Sequence, residues 1–450
     1  MCFKRVSCYS SITVGLCFLV SIGTVDAATD PGVRSGVADA GAPLAGLSAE
    51  QLNAFTIAKE TFDAVDSVSG TIRGEPDAGL GPTFNLNSCA GCHVFPASGG
   101  GSPRINPQIA VATLDGAHNT VPSFITMDGP IREVRFKNNP DGTADGGVHS
   151  LFVITGRVDA PPGFNLAQTD FAAQVASNNV SFRIPTSVFG LGLVEAIPDE
   201  AILANQLADS AGKTALGISG VPNRSGNDGT VARFGWKAQN KSLLMFAGEA
   251  YNVEQGVTND LFPNSRELGG QRIPAALPES TVDLATGGIG DIEQFMIFMR
   301  LLDGPKRRNF PNIDPGLILT GGNLFEKIGC AACHTTSLTT GISTVAALSN
   351  KVVPLFSDLL IHKMGRGLSD EVKQGLAGPG EFRTAPLWGL GQRIFFLHDG
   401  RTKDLVQAIL AHASPAAGSV TGSEANQVIQ NFINLTDAQK QNILYFLRSL

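Results

Sequence analysis

The sequence predicts a mainly α-helical protein with long loops and a few short β-strands, and three observations lead there. Capping signals followed by apolar residues at helical spacing recur along the chain. Gly and Pro are abundant, 52 and 25 of 450 residues, with no Gly-X-Y period, so long ordered loops are expected and collagen is excluded. Two short segments, Cys89-Ala90-Gly91-Cys92-His93 and Cys330-Ala331-Ala332-Cys333-His334, repeat one pattern in separate parts of the chain. Hydrophobic residues make up 43 %, too many for a disordered chain and enough for more than one core. The net charge of −7 argues against nucleic-acid binding, because phosphate contacts need clustered Lys and Arg.

The first residues read as a targeting segment. Lys4 and Arg5 precede an apolar stretch from Ile12 to Ile22, and Val25-Asp26-Ala27 offers a small-x-small cleavage site. Residues 1–27 are therefore expected to be a signal peptide. The stretch is too short for a spanning helix, and no other approaches the length needed, so no membrane span is expected after cleavage. A periplasmic location follows as an expectation.

Helical and strand signals then succeed one another. Ser48 with Gln51 is a capping-box pattern, and Leu52, Phe55, Ala58 and Phe62 follow at helical period. Residues 131–137 and 148–158 read as a pair of hairpin strands around Asn138-Asn139-Pro140-Asp141-Gly142. Phe189-Gly190-Leu191-Gly192-Leu193 reads as a Gly-interleaved turn, and Pro198-Asp199-Glu200 as a helix start. An apolar helix is expected over 291–302, broken by Asp303-Gly304-Pro305. Last comes a helix opened by Thr436 and Gln439, with an apolar stripe of Ile443, Leu444, Phe446, Leu447 and Leu450. The expected organisation is a first region over 28–304 with insertions, a linker over 305–315 and a second region over 316–450.

Cysteine arithmetic makes the reading specific. Cys2, Cys8 and Cys17 lie in the targeting segment, which leaves Cys89, Cys92, Cys330 and Cys333. Two disulfides are the usual expectation for four Cys in an exported chain, but the Cys-x-x-Cys-His spacing is that of c-type haem attachment. Two thiols about one helical turn apart can add to both vinyl groups of one haem. The adjacent imidazole then lies under the iron. A redox Cys-x-x-Cys needs no His after it. A four-cysteine zinc site would leave His93 and His334 without a role. Two covalently bound c-type haems are thus expected, held by Cys89, Cys92, Cys330 and Cys333, with His93 and His334 on iron. Each region then becomes a cytochrome c-like haem domain, the first enlarged by insertions.

Several segments carry a resemblance. Gly79-Leu80-Gly81-Pro82-Thr83-Phe84-Asn85 before the first haem motif, Phe189 to Pro198, and Phe234-Gly235-Trp236-Lys237-Ala238-Gln239 are three of them. The fourth is Phe382-Arg383-Thr384-Ala385-Pro386-Leu387-Trp388 with His398-Asp399-Gly400-Arg401. Together, over about residues 45–450, they resemble the di-haem oxidoreductase family, related to bacterial di-haem cytochrome c peroxidases. One helix after the His-Asp-Gly segment those peroxidases carry a Met on iron, and this chain has His412. The resemblance therefore implies His412 as the second ligand of the second haem, although Ala413-Ser414-Pro415 departs from the two Gly and acidic residue usual there. It also implies Arg383 as a haem propionate partner.

Other residues are weighed individually. Glu195 sits in an apolar, Gly-rich segment, where burial should raise its pKa, and is the first choice for a distal acid/base, with Glu254 second. Trp236 and Trp388 could relay electrons between haems, but each reads more readily as core. Met364 could offer a thioether, and is read as structural beside His362. His398 is expected to hydrogen-bond backbone or a propionate. His118 and His149 have no motif to support either as a ligand, so the first haem keeps no assigned sixth ligand. The function expected is an exported oxidoreductase that reduces hydrogen peroxide with electrons from a small donor protein such as a cytochrome or cupredoxin. The alternatives are a pure electron-transfer protein and a haem oxidase or oxygenase acting on an organic substrate.

Overall fold

A computed structural model describes residues 27–264, 288–310, 312–417 and 421–450. The expected signal segment, apart from Ala27, lies outside the described residues. The chain is mostly helical in its regular structure, with a few short strands and long loops. No described helix is long and apolar enough to cross a membrane.

Three helices organise the first region. Helix Ala49–Asp63 begins with the expected capping box, Ser48 and Gln51 each satisfying the other's backbone N–H. It buries Phe55, Ala58 and Phe62 against helix Asp291–Leu301, where the Phe62 and Phe298 ring centroids lie 4.5 Å apart. Helix Leu243–Glu254 joins the same core through Leu243, Ala247 and Tyr251. The expected hairpin is only half formed. Glu133–Phe136 pairs antiparallel with Val148–His149 and, on its other edge, with Val180–Arg183. The continuation Phe152–Val153 pairs instead with Thr83–Phe84. The Asn85 side chain accepts the Leu151 N–H at 2.8 Å and draws that segment away from the first strand.

The Gly-interleaved segment forms a short helix, Leu191–Glu195, packed on Asp291–Leu301. A Cβ at Gly192 would collide with the Arg300 carbonyl, so only Gly permits this approach. In the C-terminal part, helices Pro315–Lys327 and Asp437–Ser449 cross at Gly321, where a Cβ would strike the Asn442 carbonyl. Thr436 and Gln439 form the second expected capping box. Phe325, Leu444, Phe446 and Leu447 are buried at that crossing.

Both chain ends of the described fold meet there. Asp30 binds the fully buried Arg448 guanidinium at 2.8 and 2.6 Å, and Arg34 N–H donates to the Gly391 carbonyl. Within 305–315, Lys306 N–H donates to Asp39 and Arg308 N–H to Ser449. That stretch is therefore tied to both neighbours.

Candidate haem centres

The first Cys-x-x-Cys-His forms a single helical turn, Cys89–Cys92, whose Ser88 hydroxyl accepts the Gly91 N–H at 3.3 Å. Among the described residues, Cys89, Cys92, Cys330 and Cys333 are free thiols, and no disulfide joins them. Burial pushes the Cys89 and Cys92 thiols well up. The loop after the motif folds back, and His93 Nδ1–H donates to the Gly100 carbonyl at 3.0 Å. That bond selects the tautomer whose Nε2 lone pair is free for a metal. Burial lowers the His93 pKa and keeps the ring neutral. Cys89, Cys92 and His93 line one cavity.

The second motif lies on a tight turn, Cys330–Ala332, after helix Pro315–Lys327. His334 repeats the arrangement, its Nδ1–H donating to the Phe356 carbonyl at 3.0 Å. Burial, then the nearby His412, brings its pKa down to about 4. His412 lines the same cavity. It follows the short helix Leu405–Leu410, and its Nδ1–H donates to the Ala408 carbonyl at 2.8 Å. Two neutral imidazoles thus share one largely apolar cavity, each with Nε2 free.

The donor sets fit haem. Each cavity holds two thiols and an imidazole on one turn, and its walls are mostly apolar. Arg383 and Arg393 line the second cavity, and neither has an ion-pair partner among the described residues. Burial lowers both to about 10, Arg383 further through the charge of Arg393 and Arg393 further through that of Arg448. The Arg383 guanidinium donates through Nε–H to the Gly235 carbonyl at 3.0 Å and through Nη1–H to that of Thr384 at 3.2 Å, and Arg393 Nη2–H donates to that of Pro386 at 3.4 Å. Two buried cations without carboxylates suit a group that brings two propionates.

The family described as "Di-haem oxidoreductase, putative peroxidase" matches residues 136–450. The chain belongs to this family. Its cofactors are therefore haems. Among solved structures, hydrazine synthase of Kuenenia stuttgartiensis is 12 % identical, with 99 % of this chain and 100 % of that chain covered at a TM-score of 0.37. A MauG-like protein associated with microbial copper homeostasis is 16 % identical over 65 % of this chain and 95 % of that chain, with a TM-score of 0.28. No curated protein matches the chain.

In this di-haem oxidoreductase, Trp236 is the wall between the two centres. It lines both cavities, and its Nε1–H donates to the Ile184 carbonyl at 2.9 Å. A further void between the centres is lined by Trp236, Arg383 and Arg393. Trp388 lines that void but neither haem cavity, and it packs closely on Gly190 and Gly304.

The two carboxylates chosen from sequence part company. Glu195 lines neither haem cavity. Its Oε2 pairs with Arg300 Nε at 2.7 Å, and its Oε1 accepts the Leu243 N–H at 2.9 Å. The Gly192 packing turns its helix toward these partners. Glu254 does line the first cavity, where burial and the charge of Glu133 raise its pKa to about 8. Glu133, Arg135, Arg183, Gln239 and Glu249 also line it, and sequence reasoning missed them. Their spacing in the chain carries no motif, since strand pairing and a separate helix bring them together.

The remaining candidates divide by location. His362, Met364 and His398 line the second cavity. His362 is held by Asp358 at 2.9 Å and Glu424 at 2.8 Å, so both ring nitrogens are engaged. His398 stacks on Phe382 with centroids 4.3 Å apart. His118 and His149 line neither haem cavity, and His149 binds Asp145 at 2.8 Å.

Proposed function

We propose that this protein is an exported di-haem c-type oxidoreductase that reduces hydrogen peroxide with electrons from a small donor protein. Cys89 with Cys92, and Cys330 with Cys333, would each bind one haem covalently, within two cytochrome c-like domains. When bound, each haem supplies a one-electron redox centre, and an iron with a free position can bind peroxide.

The asymmetry between the cavities carries this reading. In the second, His334 and His412 line one cavity and would both hold the iron. A site with both imidazoles would suit electron transfer, because such surroundings change little on oxidation. In the first, His93 is the only imidazole among the described lining residues, and carboxyl groups face the cavity instead. Glu254 holds a proton near neutral pH and can donate it to a ligand bound there. Arg135 and Arg183 compensate the remaining negative charge. Trp236 keeps the two cavities separate while its π system spans the wall between them. Arg383 and Arg393 would hold propionates in place. Signal-peptide export agrees with haem attachment outside the cytoplasm.

A resting-state absorption or EPR spectrum tests the coordination, with one high-spin and one low-spin haem expected. Peroxide consumption by the protein with a reduced cytochrome or cupredoxin tests the activity. Two low-spin haems and no peroxide consumption would establish the pure electron-transfer reading.

A further inference from the structure

We infer that Glu133 and Glu254 form a carboxyl pair that holds one proton between them in the wall of the first haem cavity and passes it to the ligand bound there. Proton delivery to peroxide rests on the function proposed above; the shared proton does not.

The pair is built from two directions. Side chains alternate along strand Glu133–Phe136, so Glu133 and Arg135 project to one face. The antiparallel register sets Arg183 opposite Glu133. Glu254 arrives from elsewhere, as the last residue of helix Leu243–Glu254. All four side chains line the cavity. Asn85 Nδ2–H donates to Glu254 Oε2 at 2.8 Å. Its amide cannot turn over, because Asn85 Oδ1 accepts the Leu151 N–H. Glu133 Oε1 pairs with Arg135 Nε. Glu133 and Glu254 line the same cavity wall close enough to act as side-chain hydrogen-bond partners. An ionised carboxylate can only accept, so a bond between them requires one proton.

The surroundings decide which group carries it. Burial disfavours both anions, but Arg135 and Arg183 outweigh it at Glu133 and hold that carboxyl below its ordinary range. Glu254 is buried, faces the negative charge of Glu133 and ends a helix, whose dipole also disfavours an anion. Arg135 is further engaged by Glu249 and Asp370, and Arg183 by Asp370. Asn85 is neutral, and the nearby Cys92 becomes a neutral thioether once haem is attached. The proton therefore rests on Glu254. Reducing one peroxide to two waters breaks the O–O bond and takes up two protons and two electrons. The reduced donor protein supplies the electrons. The pair supplies one proton and is refilled from solvent, and the second proton comes from water.

Infrared spectra of the holoprotein, recorded across pH in H₂O and D₂O, test the pair without turnover. A protonated-carboxyl stretch is expected that titrates away on the alkaline side and is lost in Glu254→Gln. In Glu133→Gln the stretch should persist but titrate lower by at least about one pH unit, since the neighbouring anion is gone. Glu133→Asp, which keeps the charge, should restore most of that shift and serves if Glu133→Gln fails to accumulate. The alkaline limb of kcat/KM for peroxide should move with the infrared midpoint. An unchanged midpoint in Glu133→Gln, or no lost stretch in Glu254→Gln with both haem spectra intact, overturns the shared proton. A moved midpoint with an unmoved kinetic limb overturns proton delivery. If the infrared result holds and the wild type consumes no peroxide, the shared proton stands and the peroxidase reading falls.

Discussion

His334 and His412 line one cavity, and each ties its Nδ1–H to a backbone carbonyl, of Phe356 at 3.0 Å and of Ala408 at 2.8 Å. The two bonds select the same tautomer in both rings and leave both Nε2 atoms free. His412 is therefore already in the tautomer that an Nε2 metal ligand needs.

His412→Ala should convert one low-spin haem to high spin. His412→Met should keep it low-spin and raise its reduction potential, because thioether stabilises ferric iron less than imidazole does. Resting-state EPR and a potentiometric titration read both. A spectrum unchanged in His412→Ala would place the ligand elsewhere.

Covalent attachment can be weighed. Denatured protein from cells with a haem-attachment system should exceed the processed chain by the mass of two haems. The double variant Cys330→Ala with Cys333→Ala should lose one of them. Intact-protein mass spectrometry decides, and a chain with no added mass refutes c-type attachment.

Glu195→Gln should affect stability rather than chemistry. Its partners are Arg300 and the first N–H of helix Leu243–Glu254, a donor with no partner inside the helix. Gln Oε1 can still accept the Leu243 N–H, so the loss comes from the partly exposed ion pair and should be at most about 1 kcal/mol by urea unfolding. Peroxide turnover at saturating donor should stay within about twofold of wild type, whereas removing an acid/base costs on the order of 10²–10⁴. A loss of that size would return Glu195 to the chemistry.

Glu424 should make the protein sensitive to acid. Despite burial, which raises it, hydrogen bonding and the charge of His362 bring the Glu424 pKa down to about 2. A depressed carboxyl contributes stability above its unfolded pKa of about 4, and loses it as pH falls through the folded value. The decline should therefore run from about pH 4 to about pH 2. His362 is raised in turn, despite burial, chiefly by Asp358, so its own contribution is complete below its ordinary pKa and fades only as pH rises through the folded one. Glu424→Gln should lose about 3 kcal/mol near neutral pH and flatten the acid limb. Thermal unfolding of the holoprotein across pH checks both, and an unaltered acid limb would refute the assignment.

Local signals were legible in the chain itself. The capping residues Ser48 and Thr436 act through a backbone N–H three positions away, so the helix starts they predict stand in the fold. The Cys-x-x-Cys-His spacing lies within one turn, and it named each set of thiols and imidazole without any fold. Family resemblance pointed to His412, which no local rule distinguishes from another helical His. The two acid/base candidates show where such reasoning ends. Glu195 sits in an apolar, Gly-rich stretch and is the first choice, with Glu254 second, and local sequence cannot say which faces a cavity. The close approach at Gly192 sends Glu195 to Arg300, while strand register brings Glu133, Arg135 and Arg183 into the cavity that receives Glu254. The split hairpin has the same origin, because Asn85 takes the Leu151 N–H from far away in the chain. The chain by itself determined the attachment turns and the helix caps, whose partners lie within a few residues. The tertiary structure alone decided which carboxyls face a haem cavity and that Trp236 divides the two, because those neighbours come from distant segments that only packing brings together.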